Sequence, residues 1–368
     1  MLLAPAALAV TGHARSDATF IETTELRMPF VAPAPSAGAL ATGGWQRDAE
    51  RAIGDAFPLR TNLIDAYHVV RYALLRDVSA PAIIVGQDGW LFYASEEQRY
   101  VTGAYDRSSA AIARTANAYA ARAAWCAAHG IRYVFVLAPN KSTVYPGRLP
   151  PGVSFATPTL ADRLVPALRA RGVHVVDVRA GMRAAAQRDG AGDPSRLLYS
   201  KGDTHWNAAG AYLEYRAVMA ELRGAGLRDR VDPRTFTPAV EVTDGSDLIR
   251  LAGLAPVMRD SILRYRFPER AREVPFPSIP HDPAMESLSL LAMTTEDPAL
   301  PNAVIFGDSF SGGLRQFLAD DFDRTLTARY EDVRRAQFDR RLVTALEPRV
   351  VIQEIVERSL VFGPGLDF

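Results

Sequence analysis

The chain has 368 residues, of which 48% are hydrophobic and 23% are charged, and 42 basic residues balance 42 acidic ones. This composition excludes wholesale disorder, and the zero net charge argues against a nucleic-acid binder that works by neutralising phosphates. The length predicts about two domains, or one large α/β domain with insertions. The single cysteine, Cys126, excludes an internal disulfide and a multi-cysteine metal site.

The N-terminal segment is apolar at first and then rich in small residues. Residues 1–10 (MLLAPAALAV) are too few to span a membrane and lack the basic n-region of a signal peptide. They resemble the end of a signal peptide or membrane anchor, and the alternative is a disordered, alanine-rich terminus. Residues 29–44 are rich in Pro, Ala and Gly, which predicts an extended linker. We therefore predict a signal or anchor remnant and a linker over residues 1–44, followed by a folded domain over residues 45–368.

A helical stretch over residues 45–76 and a β-hairpin are the first predicted elements of that domain. Two apolar runs, Ile83–Val85 and Trp90–Tyr93, flank a Gly86–Gly89 segment that contains an Asp-Gly pair. An Asp-Gly turn between apolar runs is typical of a hairpin.

The rest of the chain alternates between predicted helices and strands. Predicted helices cover residues 108–129, 160–171, 208–222 and 312–318. Predicted strands are the short apolar runs at residues 133–137, 173–178, 303–306, 325–328 and 350–355, with a helix between the last two. Residues 228–300 are Pro-rich and are predicted to be an irregular insertion. The alternation predicts a three-layer α/β fold, with a mostly parallel sheet whose carboxyl edge carries the site.

Ser309 is the first candidate for chemistry. It lies in the segment Gly307-Asp308-Ser309-Phe310, directly after a buried strand and before a helix. A strand-to-helix turn exposes the hydroxyl beside a helix N-terminus, where backbone N–H groups stabilise an oxyanion. The alternative is an ordinary helix start, because Asp and Ser are preferred N-cap residues.

His205 is the second candidate, in the segment Asp203-Thr204-His205-Trp206. In an extended segment a two-residue spacing points Asp203 and His205 to the same side. The carboxylate then fixes the imidazole tautomer and leaves the other ring nitrogen free as a base. The alternative is an Asp N-cap with His205 as an exposed neighbour. We predict no metal site, because no second histidine stands at ligand spacing.

Taken together, the two segments supply a nucleophile, a base and an orienting carboxylate at one edge of the sheet. Four other segments accompany them in order. They are Gly86–Phe92 (GQDGWLF), Val136–Pro146 (VLAPNKSTVYP), Gly245–Leu248 (GSDL) and Val351–Arg358 (VIQEIVER). Over roughly residues 45–360 the sequence resembles the SGNH hydrolase-like domain of the alginate O-acetyltransferase AlgJ/AlgX family.

The resemblance implies an SGNH/flavodoxin-like three-layer fold with a permuted catalytic order, since Asp-x-His precedes Ser here. It implies an enzyme of the periplasm that moves acetyl groups onto an exported polysaccharide and needs no cofactor. Ser309 would be the nucleophile, His205 the base and Asp203 its partner. The expected partners are the polysaccharide acceptor, a membrane-bound O-acyltransferase that supplies acetyl, and other polysaccharide export proteins, but no nucleic acid.

Several residues are weaker candidates for binding substrate or the oxyanion, and each has a structural alternative. They are Asn140, Lys141, Tyr145, Trp206, Asp308 and Arg358. Lys141 belongs to a chain with only two lysines and forty arginines, and an ammonium is not interchangeable with a guanidinium at a tight site. Two other functions stay open: a carbohydrate acetyl esterase with the same triad, and a non-catalytic scaffold of a secretion complex.

Overall fold

A computed structural model describes Ile21 and residues 28–57, 60–189, 193–275, 288–330 and 336–367. The helices are α1 (Ala37–Ala41), α2 (Gly44–Asp55), α3 (Arg60–Leu75), α4 (Glu97–Thr102), α5 (Ser109–Ala128), α6 (Lys141–Val144), α7 (Leu160–Arg169), α8 (Arg179–Asp189), α9 (Ala208–Arg223), α10 (Asp247–Leu251), α11 (Ser311–Leu318) and α12 (Arg340–Leu346). The strands are β1 (Ile83–Val85), β2 (Leu91–Tyr93), β3 (Arg132–Ala138), β4 (His174–Asp177), β5 (Thr237–Thr243), β6 (Asp260–Arg266), β7 (Arg272–Val274), β8 (Leu288–Thr294), β9 (Ala303–Gly307), β10 (Arg324–Tyr330), β11 (Ala336–Phe338), β12 (Val350–Val356) and β13 (Leu366–Asp367).

A seven-stranded sheet forms the middle layer, in the order β4-β3-β12-β9-β10-β8-β7. The first five strands in that order are parallel, while β8 runs antiparallel to β10 and β7 antiparallel to β8. The predicted mostly parallel sheet is therefore confirmed. Because β3, β9 and β12 point the same way, the segments that follow them meet at one edge.

Both faces of the sheet are buried, as the apolar strands predict. Val134 and Val136 of β3 point into the core on one face, and Phe135 and Leu137 point into the core on the other. All seven residues of β12 are buried. Such burial on two faces requires helices on both sides, which makes the three layers.

The predicted helices and the hairpin are confirmed with small changes of boundary. The β1–β2 hairpin pairs Ile83 with Tyr93 across the predicted Asp-Gly turn. Helix α5 begins after Ser108, whose hydroxyl oxygen accepts the N–H of Ala111 at 3.1 Å. It ends just before Gly130, which has φ +73°, a left-handed conformation that favours glycine.

The prediction that residues 228–300 are irregular is wrong. β5 and β6 form an antiparallel hairpin with seven pairs, and β8 pairs along its whole length with β10 of the central sheet. β5 is mostly exposed and contains Pro238, so it lacks the buried apolar pattern that reveals a central strand. The segment therefore adds strands to the sheet and, as shown below, supports the site. Residues 276–287 of this segment lie outside the described residues.

The N-terminal region is described only from residue 28 onward, apart from Ile21, so the predicted signal or anchor remnant at residues 1–10 lies outside the described residues. The linker prediction is wrong in part, because α1 forms within it, capped by the Ser36 hydroxyl at 3.2 Å from the Ala39 N–H. Within the described residues, no helix combines the length and the apolar character that a membrane crossing requires.

Candidate active site

The Ser309 turn follows β9 at the carboxyl edge of the sheet. Asp308 points inward: its Oδ1 accepts the N–H of Phe310 at 2.9 Å, and its Oδ2 accepts the N–H of Val356 at 2.8 Å. These two bonds tie the turn to its own helix and to the end of β12. Asp308 is buried and burial raises the pKa of its carboxyl. Both of its oxygens are thus used to hold the turn in place, so the prediction that Asp308 binds substrate or the oxyanion is wrong.

The turn also depends on a close approach at Gly307. A Cβ added there would lie 2.5 Å from Cβ of Ser311 and 2.8 Å from Oε2 of Glu354. Helix α11 starts only at Ser311, so Ser309 precedes the helix and is not its N-cap. Ser309 is exposed. The ordinary-helix-start alternative is thus wrong in its detail, and the hydroxyl is available for chemistry.

His205 joins the Ser309 turn to the Asp203 loop. Its Nε2 lies 2.8 Å from Oγ of Ser309, and its Nδ1 lies 2.9 Å from Oδ1 of Asp203. The same Asp203 oxygen accepts the backbone N–H of His205 at 2.9 Å. With its ring proton given to Asp203, the imidazole offers Nε2 to the serine hydroxyl. The two-residue spacing therefore places both side chains as expected.

The electrostatics of this pair suit a base. Burial raises the pKa of Asp203, but the hydrogen bond and charge of His205 outweigh burial, and the net pKa is lowered. Asp203 therefore stays ionised at neutral pH and is available to stabilise an imidazolium. The alternative that Asp203 is an N-cap is wrong, because Asn207 caps α9 by accepting the N–H groups of Ala209 and Gly210.

Lys141 lies behind the His205 loop and is not a substrate-binding group. Its side chain is 1% exposed, and Nζ donates to the carbonyls of Leu91 at 2.8 Å, Lys201 at 2.7 Å and Asp203 at 2.9 Å. Burial lowers the pKa of its ammonium to about 8, although Asp260 and Asp203 act in the opposite direction. Lys141 is therefore a wrong candidate for binding substrate, because all three of its protons are donated to carbonyls inside the protein.

The other weaker candidates lie mostly in the interior. Asn140 is fully buried, and its Oδ1 accepts the N–H of Arg358 at 3.0 Å. Tyr145 packs on Trp90 at 4.5 Å between ring centroids, and its hydroxyl oxygen accepts the N–H of Leu198 at 2.9 Å. These contacts make both residues part of the supporting structure, and neither lines the cleft described below.

Arg358 and Trp206 pack on Phe310, the residue after the serine. The Arg358 guanidinium lies 5.2 Å from the Phe310 ring centroid, is nearly buried, and has Nε 3.6 Å from Oε2 of Glu96. Trp206 meets the same ring edge-on at 5.0 Å. Trp206 also lines the cleft, so of these two only Trp206 reaches the space in front of Ser309.

An open cleft of about 380 Å³ lies in front of the serine. Besides Ser309, His205, Asp203 and Trp206 its lining residues are Ser200, Ile262, Arg264, Phe310, Gly312, Gly313, Gln316 and Arg329. Sequence reasoning missed Arg264 and Arg329, which come from β6 and β10 and meet only in the folded protein. A larger cavity of about 540 Å³ lies at the opposite, amino end of β10 and has no serine or histidine among its lining residues.

Sequence reasoning also missed Asp247 at the start of α10. Its Oδ1 accepts the N–H of Thr204 at 2.8 Å, and its Oδ2 lies 3.6 Å from Nδ1 of His205. The signal was present in the Gly-Ser-Asp-Leu segment, but the segment alone does not reveal what it contacts. Within the described residues, Asp203, His205 and Asp247 are the group whose ligand atoms, within 4.8 Å of one another, are close enough for a metal ion. A metal there would take the Nδ1 position that now bonds Asp203.

The parallel sheet, the permuted motif order and the Ser-His-Asp contact at its carboxyl edge define an SGNH hydrolase-like protein. Residues 83–351 match the family described as SGNH hydrolase-like domain, acetyltransferase AlgX. The chain therefore belongs to the AlgJ/AlgX family.

Similarity to a named protein agrees with this family. A protein named probable alginate O-acetylase AlgJ, from Pseudomonas aeruginosa, is 25% identical over 278 residues, which cover 72% of this chain and 66% of AlgJ. The match thus spans slightly less than two thirds of that relative.

Solved structures show the same fold at lower identity. PatB1 of Bacillus cereus, solved with a sulfonyl adduct, has a TM-score of 0.53 and 13% identity, and the match covers 77% of this chain and all of PatB1. A DHHW family protein from Eubacterium siraeum has a TM-score of 0.53 and 15% identity, covering 79% of this chain and 98% of the other.

Proposed function

We propose that this protein transfers acetyl groups onto hydroxyls of an exported polysaccharide through an acetyl-serine intermediate. The observation that carries the proposal is the continuous contact from Ser309 through His205 to Asp203, with distances of 2.8 and 2.9 Å. Membership of an acetyltransferase family and similarity to a protein named alginate O-acetylase support the acetyl group and the polymer as substrates.

The first half-reaction forms the acetyl-serine. Nε2 of His205 takes the Ser309 proton as Oγ attacks the carbonyl carbon of the acetyl donor. The N–H of Ser309 and neighbouring backbone donors stabilise the oxyanion. When the tetrahedral intermediate collapses, the donor's leaving group departs with the proton held on Nε2. Asp203 stabilises the imidazolium while it exists.

The second half-reaction moves the acetyl group to the sugar. Nε2 takes a proton from an acceptor hydroxyl, whose oxygen attacks the acetyl-serine, and the proton returns to Oγ of Ser309 as the new ester leaves. Trp206 and the arginines 264 and 329 line the cleft where the sugar would bind. Arg264, which also pairs with Glu241 at 3.2 Å, and Arg329 suit an acceptor with carboxylate groups, such as a uronate polymer.

The acetyl donor and the location are part of the same proposal. Acetyl-CoA is a cytoplasmic donor, so an enzyme of the periplasm needs acetyl delivered across the membrane. A membrane-bound O-acyltransferase is the expected supplier, and other polysaccharide export proteins are the expected neighbours.

A carbohydrate acetyl esterase is the second candidate, because Ser309 is exposed in an open cleft that water can enter. Purified protein is incubated with a chromogenic acetyl ester, with and without an acceptor oligosaccharide, and products are analysed by mass spectrometry. Acetylated oligosaccharide supports transfer, and free acetate alone supports hydrolysis. If neither forms, the result favours the third function, a non-catalytic scaffold, over both enzymes.

A further inference from the structure

We propose that Asp247 is a second carboxylate for His205, a positioning residue that fixes the imidazole and stabilises its charged form during transfer. The inference rests on the proposed function, because it concerns the same imidazole. It assigns a role to the Gly-Ser-Asp-Leu segment, which is separate from the motifs that contain Ser309, His205 and Asp203.

Asp247 contacts the His205 loop in two ways. Oδ1 accepts the backbone N–H of Thr204 at 2.8 Å and that of Leu248 at 2.7 Å. Thr204 stands between Asp203 and His205, so the bond fixes the backbone that aims both side chains. Oδ2 lies 3.6 Å from Nδ1 of His205, behind Asp203 Oδ1 at 2.9 Å. One carboxylate therefore bonds the ring and a second stands beside it.

Residues 247–249, called the clamp below, are hydrogen-bonded to the loop that carries His205. Gly202 O accepts the N–H groups of Leu248 at 3.1 Å and Ile249 at 3.3 Å, and Gly202 N donates to Oδ2 of Asp260 at 2.9 Å. Ser246 also donates to that Asp260 oxygen, at 2.8 Å. These bonds hold the start of α10 against the loop and so keep the Asp247 carboxylate beside the imidazole.

The charged groups around Asp247 determine whether its carboxyl is ionised. Asp203 and His205 face it from the loop, the Lys141 ammonium lies behind the loop, and Asp260 lies on the adjoining strand. Burial, and next the charge of Asp203, raise the pKa of Asp247 to about 6, while His205 acts in the opposite direction. Asp247 is therefore ionised at neutral pH. When Ser309 gives its proton to Nε2, both carboxylates stabilise the imidazolium.

The test compares Asp247→Asn with the wild type over pH 5 to 9, using the chromogenic ester. Asparagine keeps an oxygen for the Thr204 and Leu248 N–H groups and removes only the charge. We expect kcat to fall about ten-fold with little change in KM, and the acid limb of the rate profile to move about one pH unit lower. Asp244→Asn is the matched control, since that exposed aspartate pairs with Arg259 and is not among the groups around His205.

A wild-type profile for Asp247→Asn would overturn the inference while leaving the proposed function intact. If the wild type itself has no turnover, or the variant does not fold, an NMR titration of the His205 ring protons in the wild-type protein gives the answer. Two inflections, one of them near pH 6, support a carboxylate beside the ring, and a single inflection overturns it. Absence of turnover alone would count against the proposed function, not against this contact.

Discussion

The turn that carries Ser309 and the loop that carries His205 contact each other, but buried groups of opposite charge type support them. Carboxyl groups underlie the serine turn: Asp308 binds backbone N–H groups, and Glu354 lies directly beneath Gly307. An ammonium, that of Lys141, underlies the histidine loop and binds backbone carbonyls. The serine turn is thus fixed by the strands beside it, whereas the histidine loop depends on side chains from separate parts of the chain. The loop is the more vulnerable half of the site.

Removing the nucleophile has the largest expected effect. Ser309→Ala should lower acetyl turnover by about 10⁴–10⁶-fold, because the step that forms the acetyl-serine has no substitute. The fold should be unchanged, since the exposed hydroxyl contributes only its bond to His205. Turnover is measured with the chromogenic ester, and Ser195→Ala, on an exposed serine, is the control. Retained turnover in Ser309→Ala contradicts the mechanism.

The next largest effect should come from releasing the histidine loop. Lys141→Met leaves three carbonyls without a donor, which should reduce the free energy of unfolding by about 3 kcal/mol and kcat by about 100-fold as His205 moves. Lys141→Arg should not rescue it, because a planar guanidinium does not direct its N–H groups to the three carbonyls as a compact ammonium does. Lys201→Met, on the less buried of the two lysines, is the control.

Lys141 also predicts that turnover falls at alkaline pH. Above pH 8 the amine is neutral and has two protons for three carbonyls, so wild-type turnover should fall with a midpoint near pH 8. The pH–rate profile of the wild type gives the midpoint. A profile that stays flat to pH 10 contradicts the idea that Lys141 holds the loop as an ammonium.

A smaller change tests the contact between the loop and its clamp. A Cβ on Gly202 would lie 2.6 Å from Ile249 and 3.0 Å from Asp260. Gly202→Ala should therefore cost about 1–3 kcal/mol of stability and lower kcat about ten-fold. Gly181→Ala is a matched control, because its Cβ meets nothing within 4 Å in α8, and it should stabilise the protein by up to about 1 kcal/mol. Equal melting temperatures for the two variants would contradict the close approach.

The buried Glu354 beneath the Ser309 turn predicts how stability depends on pH. Burial, then the charges of Asp308 and Glu214, raise the pKa of Glu354 well above its usual range. The native state therefore keeps a proton that the unfolded chain releases above about pH 4.3, so stability falls as pH rises from there. Glu354→Gln should flatten that fall, so that the variant gains stability on the wild type as pH rises from 5 to 8. Urea unfolding at both pH values measures it, with exposed Glu50→Gln as control, and parallel curves contradict it.

The smallest expected effect is none at all. Treatment with EDTA should leave turnover unchanged, because Nδ1 of His205 is bonded to Asp203 and is not needed for a metal. Loss of activity on chelation, restored by a divalent cation, would instead indicate that Asp203, His205 and Asp247 hold a metal.

Features that depend on neighbouring residues could be predicted from the sequence, whereas contacts between distant segments could not. The Asp-Gly hairpin, the buried strands and the Asp203–His205 spacing depend on neighbouring residues, and the structure has each of them as predicted. The clamp at Asp247 and the cleft arginines depend on contacts between distant segments, which no local pattern encodes. Lys141 lies between these cases: its rarity indicated a tight site, but the sequence did not reveal that the partners are carbonyls of the chain itself.

The position of β12 has a consequence for the order in which the site assembles. This strand, near the end of the described chain, is inserted between β3 and β9, and Asp308 needs the N–H of Val356 at its end. A chain in which β12 has not docked therefore contains Ser309, His205 and Asp203 but cannot bring the two halves of the sheet together. The two motifs meet only when this central strand is in place, so docking of β12 is the step that assembles the site.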